Sequence, residues 1–114
     1  MEMNVLSLPE GITKVELQGR FDILAAQKID LQFNVIVGNH KRVIVDLEQV
    51  PVIASMGIRT LIMGAKTMKS KGGRMALLKP SDDVMTVLEE TGADTIIPIL
   101  TELHNGGATW LPRL

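Results

Sequence analysis

The stretch from Val43 to Ile58 decides the fold: Val43-Ile44-Val45-Asp46-Leu47, then Val50-Pro51-Val52-Ile53, then Ala54-Ser55-Met56-Gly57-Ile58. The first run is almost wholly apolar and rich in β-branched residues, which is typical of a strand buried in a parallel sheet. The residue before a proline avoids helical backbone, so the second run is expected to be extended. A helix over about Met56 to Lys71 is predicted next, and Gly72-Gly73 is expected to end it.

On the N-terminal side, two short strands are predicted over Val5 to Leu8 and Ile12 to Leu17, with Pro9-Glu10-Gly11 as the turn between them. Gly19-Arg20-Phe21-Asp22 follows, and the apolar residues then recur at helical spacing up to Gly38-Asn39. The N-terminus is therefore expected to be a β-hairpin followed by a helix.

On the C-terminal side, a strand is predicted over Met75 to Leu78. Pro80-Ser81-Asp82-Asp83 begins a helix with a capping serine and two acids in its first turn, and Gly92 ends it. A last strand is expected at Ile96-Ile97, before Pro98. The tail from Leu100 onward has a weak helical pattern.

These elements predict an α/β fold: a mixed, mostly parallel β-sheet with an N-terminal antiparallel hairpin, packed with about four helices. Residues 1–114 show no linker or repeat and are expected to form a single domain.

Composition narrows the classes of function. The net charge is −1 and only three residues are aromatic, so the basic excess and stacking platforms of a nucleic-acid binder are missing. There is no apolar run near the roughly 20 residues of a membrane span, and no signal peptide is recognised. With no cysteine in the chain, disulfides and thiolate catalysis are excluded. A cytoplasmic location is expected.

A search for catalytic motifs predicts that the chain is not an enzyme and has no cofactor. His40 and His104 stand alone in polar loops, without metal-ligand spacing or a nucleophile elbow. No phosphate-binding loop motif is present. Gly72-Gly73-Arg74 could form a phosphate nest, but its place after a helix favours a helix cap.

Ser55 stands out because it lies where the extended segment meets the long helix. Its hydroxyl could cap the backbone N–H groups of the first turn. A phosphate on the same oxygen would meet the positive end of the helix dipole and several free N–H donors. The two roles are compatible.

From about Val5 to Leu100 the order of elements resembles the STAS family, the anti-anti-sigma factors and their relatives. That family has a strand, a short apolar link and Asp-Ser-(Ser/Thr/Ala)-Gly-hydrophobic at the head of a helix. The resemblance implies that Ser55 is the serine phosphorylated by a partner anti-sigma factor, a serine kinase of the histidine-kinase ATPase type. It places Gly57 on the motif glycine and Asp22 on an acid beside the acceptor. Capping of the first helix is an alternative role for Asp22.

Two departures from the family pattern stand beside Ser55. Ala54 replaces the usual aspartate, and Met56 replaces a small residue. Either the kinase tolerates alanine, or this member binds its partner without being phosphorylated.

The outward side of the long helix is expected to hold a stripe of residues that includes two methionines, an adaptable contact surface. Those two could instead be partly exposed core residues. Arg59, four residues after Ser55, could pair with a phosphate there. The stripe consists of Met56, Arg59, Thr60, Met63, Lys66, Thr67 and Ser70.

The sequence and the resemblance together favour an anti-sigma factor antagonist, whose partner kinase docks on the turn Arg20 to Asp22, on Ser55 and on that stripe. The rivals are a non-phosphorylated STAS scaffold of a signalling complex, an accessory subunit of a lipid-transport ATPase, and a small nucleotide-hydrolysing enzyme. A homodimer is possible, and Trp110 in the tail could pack on the body or serve in self-association.

Overall fold

Five strands form one mixed sheet in residues 1–102, the part of the chain that this computed structural model describes. Their spatial order follows the sequence, β1-β2-β3-β4-β5. β1 is antiparallel to β2, and the other neighbours are parallel, which confirms the α/β fold expected from the sequence. The strands are β1 (Glu2–Leu8), β2 (Ile12–Gln18), β3 (Arg42–Gln49), β4 (Arg74–Leu78) and β5 (Ile99–Leu100).

Three α-helices pack against one face of this sheet: α1 (Ile23–Asn39), α2 (Ser55–Ser70) and α3 (Asp82–Thr91). Fully buried residues of the three helices share one core cluster with inward-facing residues of the central strands. That cluster includes Phe33, Leu61 and Leu88 from the helices and Val15, Val45 and Leu77 from the strands. The helical tail expected after Leu100 falls largely within residues 103–114, outside the described residues. No helix of the described part is both long and apolar enough to cross a bilayer.

The ends of α2 and α3 follow the capping pattern in the sequence. Ser81 accepts a hydrogen bond from the Val84 N–H at 3.2 Å, and Gly92 closes α3 with a φ of 77°. Gly72, with a φ of 83°, follows the last residues of α2, and the Gly73 N–H donates to the carbonyl of Met68. The Gly-Gly pair therefore ends the helix, as expected, and gives way to β4.

The last strand lies on the other side of Pro98 from the prediction. Ile97 is fully buried, and its N–H donates to the Ala93 carbonyl at 2.9 Å, so it belongs to the turn after α3. Proline has no N–H but keeps its carbonyl, which accepts from the Leu77 N–H at 2.9 Å and opens the pairing of β4 with Ile99–Leu100. The prediction of a strand at Ile96-Ile97 was wrong. Pro98 was expected to end that strand, whereas it directly precedes β5.

Candidate functional site

A backbone connection joins the turn before α1 to the start of α2. The Phe21 N–H donates to the Val52 carbonyl, and the Ala54 N–H donates to the Phe21 carbonyl, each at 2.9 Å. Phe21 and Ile53 thus form an isolated parallel bridge. Two segments more than thirty residues apart in sequence are thereby held side by side, and the turn lies next to Ser55.

Gly57 permits this close approach. A β-carbon at position 57 would lie 2.8 Å from the Phe21 carbonyl oxygen, and 3.0 Å from both the Phe21 ring and the Ile53 side chain. Real side chains essentially never reach such a distance to a backbone oxygen. The motif glycine is therefore explained by packing at this junction.

Ser55 is the first residue of α2 and is exposed. The N-cap position belongs to Ala54, whose side chain cannot accept a hydrogen bond. The expectation that the Ser55 hydroxyl caps the helix was wrong. Ser55 follows the N-cap position by one residue and belongs to the first turn of α2.

The start of α2 consequently keeps several free donors. Within residues 1–102, the N–H groups of Ser55, Met56 and Gly57 have no hydrogen-bond acceptor, whereas the Ile58 N–H reaches the Ala54 carbonyl at 3.1 Å. The Ser55 hydroxyl likewise makes no hydrogen bond to any described residue. An exposed hydroxyl therefore stands at the positive end of a 16-residue helix, beside unpaired donors.

Asp22 is the N-cap of α1, and its Oδ1 atom accepts from the Ala25 N–H at 2.9 Å. The capping role considered for Asp22 is confirmed. The side chain is half-buried, and its neighbour Arg20 is exposed. The structure therefore places a helix-capping acid and an exposed arginine in the turn that lies against the start of α2.

A groove of about 740 Å³ runs between α1 and α2, beginning one residue after Ser55. Its α2 wall includes Met56 and Met63, which are 36% and 52% exposed, together with exposed Arg59. No ion pair of the described residues involves Arg59. The two methionines are accordingly open to contact from outside.

Thr60 corrects one part of the predicted stripe. It is only 8% exposed, and its hydroxyl donates to the Met56 carbonyl at 3.1 Å, so it lies at the floor of the groove. The reason is that α1 packs over this side of α2: at Gly64, one turn further on, the ring of Phe33 occupies the space that a β-carbon would take. Thr60 therefore offers little surface to a partner.

The sequence interpretation missed the opposite wall of the groove, which α1 supplies through Gln27, Asp30 and Asn34. A signal was present, because these three polar residues are spaced three and four apart and so share one side of a helix. What the sequence does not state is that this side faces α2.

A charged cluster that the sequence pattern did not indicate lies on the face of the sheet opposite the three helices. Lys14 Nζ lies 3.1 Å from Glu16 Oε2 and 3.4 Å from Asp46 Oδ2. Burial by itself lowers the pKa of Lys14, but the hydrogen bonds and negative charges of Glu16 and Asp46 outweigh it, so the pKa is raised. Asp46 is 8% exposed and also accepts from the Glu48 N–H, which gives it a structural role.

The histidines do not form a metal site in the described part. His40 Nδ1 shares a hydrogen bond of 3.1 Å with the Thr13 hydroxyl. Among residues 1–102, no three His, Cys, Asp or Glu side chains are grouped closely enough to hold a metal ion. His104 and Trp110 lie outside the described residues.

Comparison with solved structures agrees with this architecture. The chain superposes on an anti-sigma-factor antagonist (STAS) domain protein from Planctomyces limnophilus with a TM-score of 0.79 at 25% identity, covering 88% of this chain and 90% of that one. It superposes on the unphosphorylated anti-sigma factor antagonist SpoIIAA, a Bacillus protein, with a TM-score of 0.70 at 16% identity, covering 95% and 94%.

Comparison by sequence identifies the family. BtrV of Bordetella bronchiseptica, a protein assigned to the anti-sigma factor antagonists, is 27% identical over 108 residues, which cover 91% of this chain and 93% of BtrV. The family model of the STAS domain matches residues 5–106. The chain therefore belongs to the STAS domain family.

Proposed function

We propose that this STAS domain is an anti-sigma factor antagonist that acts by binding a serine-kinase anti-sigma factor, with Ser55 as the phosphoacceptor. The observation that carries the proposal is the exposed, unpaired Ser55 hydroxyl at the first position of α2, beside the turn that holds Arg20 and Asp22. The assignment of BtrV and of the solved neighbours to this class supports it.

The chemistry of the helix start suits phosphorylation. In the partner kinase, the Ser55 oxygen forms a bond to the γ-phosphorus of ATP, the bond to ADP breaks, and a base of the kinase takes the hydroxyl proton. The phosphoserine then carries about −1.5 to −2 charges. The free N–H groups of Met56 and Gly57 and the positive helix end stabilise that charge without a change of fold.

Phosphorylation acts as a switch because it changes the charge of the contact surface. In the unmodified state the kinase meets a neutral hydroxyl flanked by Arg20, Asp22 and Arg59 and by the adaptable side chains of Met56 and Met63. A doubly charged group at the centre of this surface must be desolvated and paired when the kinase binds again, which weakens the complex. Release of the kinase would restore its hold on the sigma factor.

Ala54 supports a second candidate, a non-phosphorylated STAS scaffold or an accessory subunit of a lipid-transport ATPase. The family's usual aspartate is absent there, so the contact surface lacks one negative charge before Ser55. In this alternative the same surface binds a partner constitutively, and the hydroxyl is only part of a polar rim.

The deciding experiment begins with the unmodified chain as bait for a kinase partner. The purified kinase and Mg-ATP are then incubated with the chain, and the intact mass and the modified peptide are measured. We expect one phosphate, on Ser55, and none on Ser55→Ala. Ser81 is the internal control, because it too stands at a helix start but its oxygen already accepts the Val84 N–H. A stable complex with no phosphate on Ser55 would favour the scaffold.

A further inference from the structure

An apolar band crosses the face of the sheet that lies opposite the three helices. Successive side chains of a strand point to opposite faces, so Ile44 lies on this face because Val43 and Val45 belong to the core beneath the helices. Apolar neighbours on the other strands extend the band diagonally to both edges of the sheet. From β1 to β5 it consists of Leu8, Ile12, Ile44, Ala76, Leu78 and Leu100.

The middle of this band is almost completely buried. Ile12 and Leu78 are 1% and 2% exposed, and Ile44 and Ala76 are 0% exposed. Leu6 lies on the same face of β1 but outside the band, and it is 43% exposed. Side chains stand roughly perpendicular to a sheet, so their neighbours within the sheet shield only their flanks. A further part of the chain must therefore lie on top of the band.

Residues 1–102 do not supply this cover. Their three helices pack on the opposite face. Their partly buried apolar residues that pack against the middle of the band are its own ends, Leu8 and Leu100, which belong to the same sheet. The long side chains beside the band are held at its borders: the Arg42 guanidinium donates to the Glu10 carbonyl at 3.3 Å, and Lys14 is bound by its two carboxylates.

The segment 103–114 is the remaining source, because these exposures are those of one chain without a partner. It starts close to one end of the band, since β5 ends at Leu100. Four strand spacings of about 4.8 Å make the sheet about 19 Å wide. The ten residues from Leu100 to Trp110 span up to about 33 Å when extended, so Trp110 can reach any part of the band.

We propose that residues 103–114 lie across this band and that the indole ring of Trp110 packs over Ala76. Ala76 leaves a recess between the longer side chains of Ile44 and Leu78, and its complete burial shows that the recess is filled. Tryptophan has the largest apolar surface in the segment and fits this role. The other large apolar residues of the segment are Leu103, Leu111 and Leu114.

This contact is independent of the proposed function. The band lies on the face of the sheet opposite α2, so Ser55 and the groove take no part in it. The match to the STAS family model ends at residue 106, so the family match does not account for a contact of Trp110. The segment keeps an apolar area of the sheet away from other molecules, which leaves the side of α2 open to a partner.

The first test uses the single tryptophan of the chain and its lack of cysteine. A nitroxide attached to an introduced cysteine quenches tryptophan fluorescence only at short range. Arg74→Cys places the label on the same face of β4 as Ala76, two residues away. Leu31→Cys is the control, because Leu31 is 78% exposed on α1, on the other side of the sheet. We expect the label at position 74 to remove most of the Trp110 emission, the label at position 31 to leave it unchanged, and urea to abolish the difference.

The second test removes the ring. We expect Trp110→Ala to unfold at a lower urea concentration than the wild type, and its native state to bind more of the apolar dye anilinonaphthalene sulfonate. Leu31→Ala is the matched control, because loss of an exposed leucine on α1 should change neither. Circular dichroism confirms that each variant is folded. Phosphorylation of Ser55 in Trp110→Ala is expected to be unchanged, so each proposal can fail without the other.

Equal emission from the two labelled variants would overturn the proposal. So would a Trp110→Ala variant with the dye binding and the urea midpoint of the wild type. Quenching that grows with protein concentration would overturn it as well, because the cover would then come from a second copy.

Discussion

The carbonyl oxygen of Phe21 lies directly against the α-carbon of Gly57, where a β-carbon would be only 2.8 Å from it. The same oxygen accepts the Ala54 N–H, so its position is fixed from two directions. The neighbourhood of Ser55 is therefore built by backbone contact and by the absence of a side chain. Any residue larger than glycine at position 57 must push the turn away from the start of α2.

Gly57→Ala should destabilise the fold by about 1–3 kcal/mol, because the clash is with rigid backbone. Helix propensity alone gives the opposite sign, since alanine is favoured over glycine within a helix by about 1 kcal/mol. Gly38→Ala in α1 is the matched control: nothing lies within 4 Å of a β-carbon there, so it should be neutral or stabilising. Urea unfolding of the three proteins measures both effects, and equal stability of the two variants would contradict the packing explanation.

Ser55→Ala should change the free energy of unfolding by less than about 0.5 kcal/mol, because its hydroxyl makes no hydrogen bond to residues 1–102. Ser81→Ala should cost about 1 kcal/mol, because that oxygen caps α3. The pair separates a serine available for modification from one that holds a helix. A large loss of stability in Ser55→Ala would mean that its hydroxyl has a structural partner.

Two properties of Asp22 can be separated by substitution: its capping oxygen and its negative charge. Asp22→Asn keeps a capping oxygen for the Ala25 N–H and should leave stability nearly unchanged, whereas Asp22→Ala should cost about 1 kcal/mol. If the partner kinase reads the negative charge, its affinity falls in both variants. If affinity falls in Asp22→Ala alone, the residue acts by positioning the turn.

Arg59 should contribute to the stability of the fold only after Ser55 is phosphorylated, since no described acid pairs with it in the unmodified chain. In the phosphorylated chain, Arg59→Gln should lower stability by about 0.5 kcal/mol through loss of an i,i+4 pair. Lys66→Gln, on the same helix but three turns away from Ser55, is the control. Thermal unfolding of the phosphorylated and unmodified forms measures the difference, and equal effects of Arg59→Gln on both would remove the pairing.

The raised pKa of Lys14 predicts that the fold loses stability at alkaline pH. Its pKa is raised in the folded chain above the ordinary 10.5, so the protonated form stabilises the fold. That contribution is complete below 10.5 and is lost as the pH rises through the folded-state pKa. Lys14→Met lacks this loss but is less stable at neutral pH, because Asp46 is left without its cation.

The comparison is simple to interpret because the chain has no tyrosine or cysteine to titrate in the same range, and because the other six lysines are common to the wild type and Lys14→Met. Urea midpoints at about pH 8 and about pH 11 should converge between the wild type and Lys14→Met. Parallel midpoints at the two pH values would show that the ion pair has no net effect.

The interpretations that came from local pattern were confirmed where a single segment carries the cause. The buried run Val43 to Leu47, the cap at Ser81 and the glycines that end α2 and α3 act on their own neighbours along the chain. The strand predicted at Ile96-Ile97 was misplaced because a proline lacks only the backbone N–H donor. The Pro98 carbonyl still accepts a hydrogen bond from β4. Thr60 was misjudged because the pattern of α2 does not reveal how closely α1 crosses it.

The sequence by itself determined the order of strands and helices, the apolar face of each element, and the position of Ser55 at the start of α2. These follow from residue spacing, backbone preference and capping, which act over a few residues. Only the tertiary structure decided that Phe21 lies against Gly57, that the Ser55 hydroxyl has no hydrogen-bond partner among residues 1–102, and that α1 forms one wall of the groove. Such properties depend on which side chains stay exposed after distant segments have packed together. The spacing of residues within one segment does not reveal this.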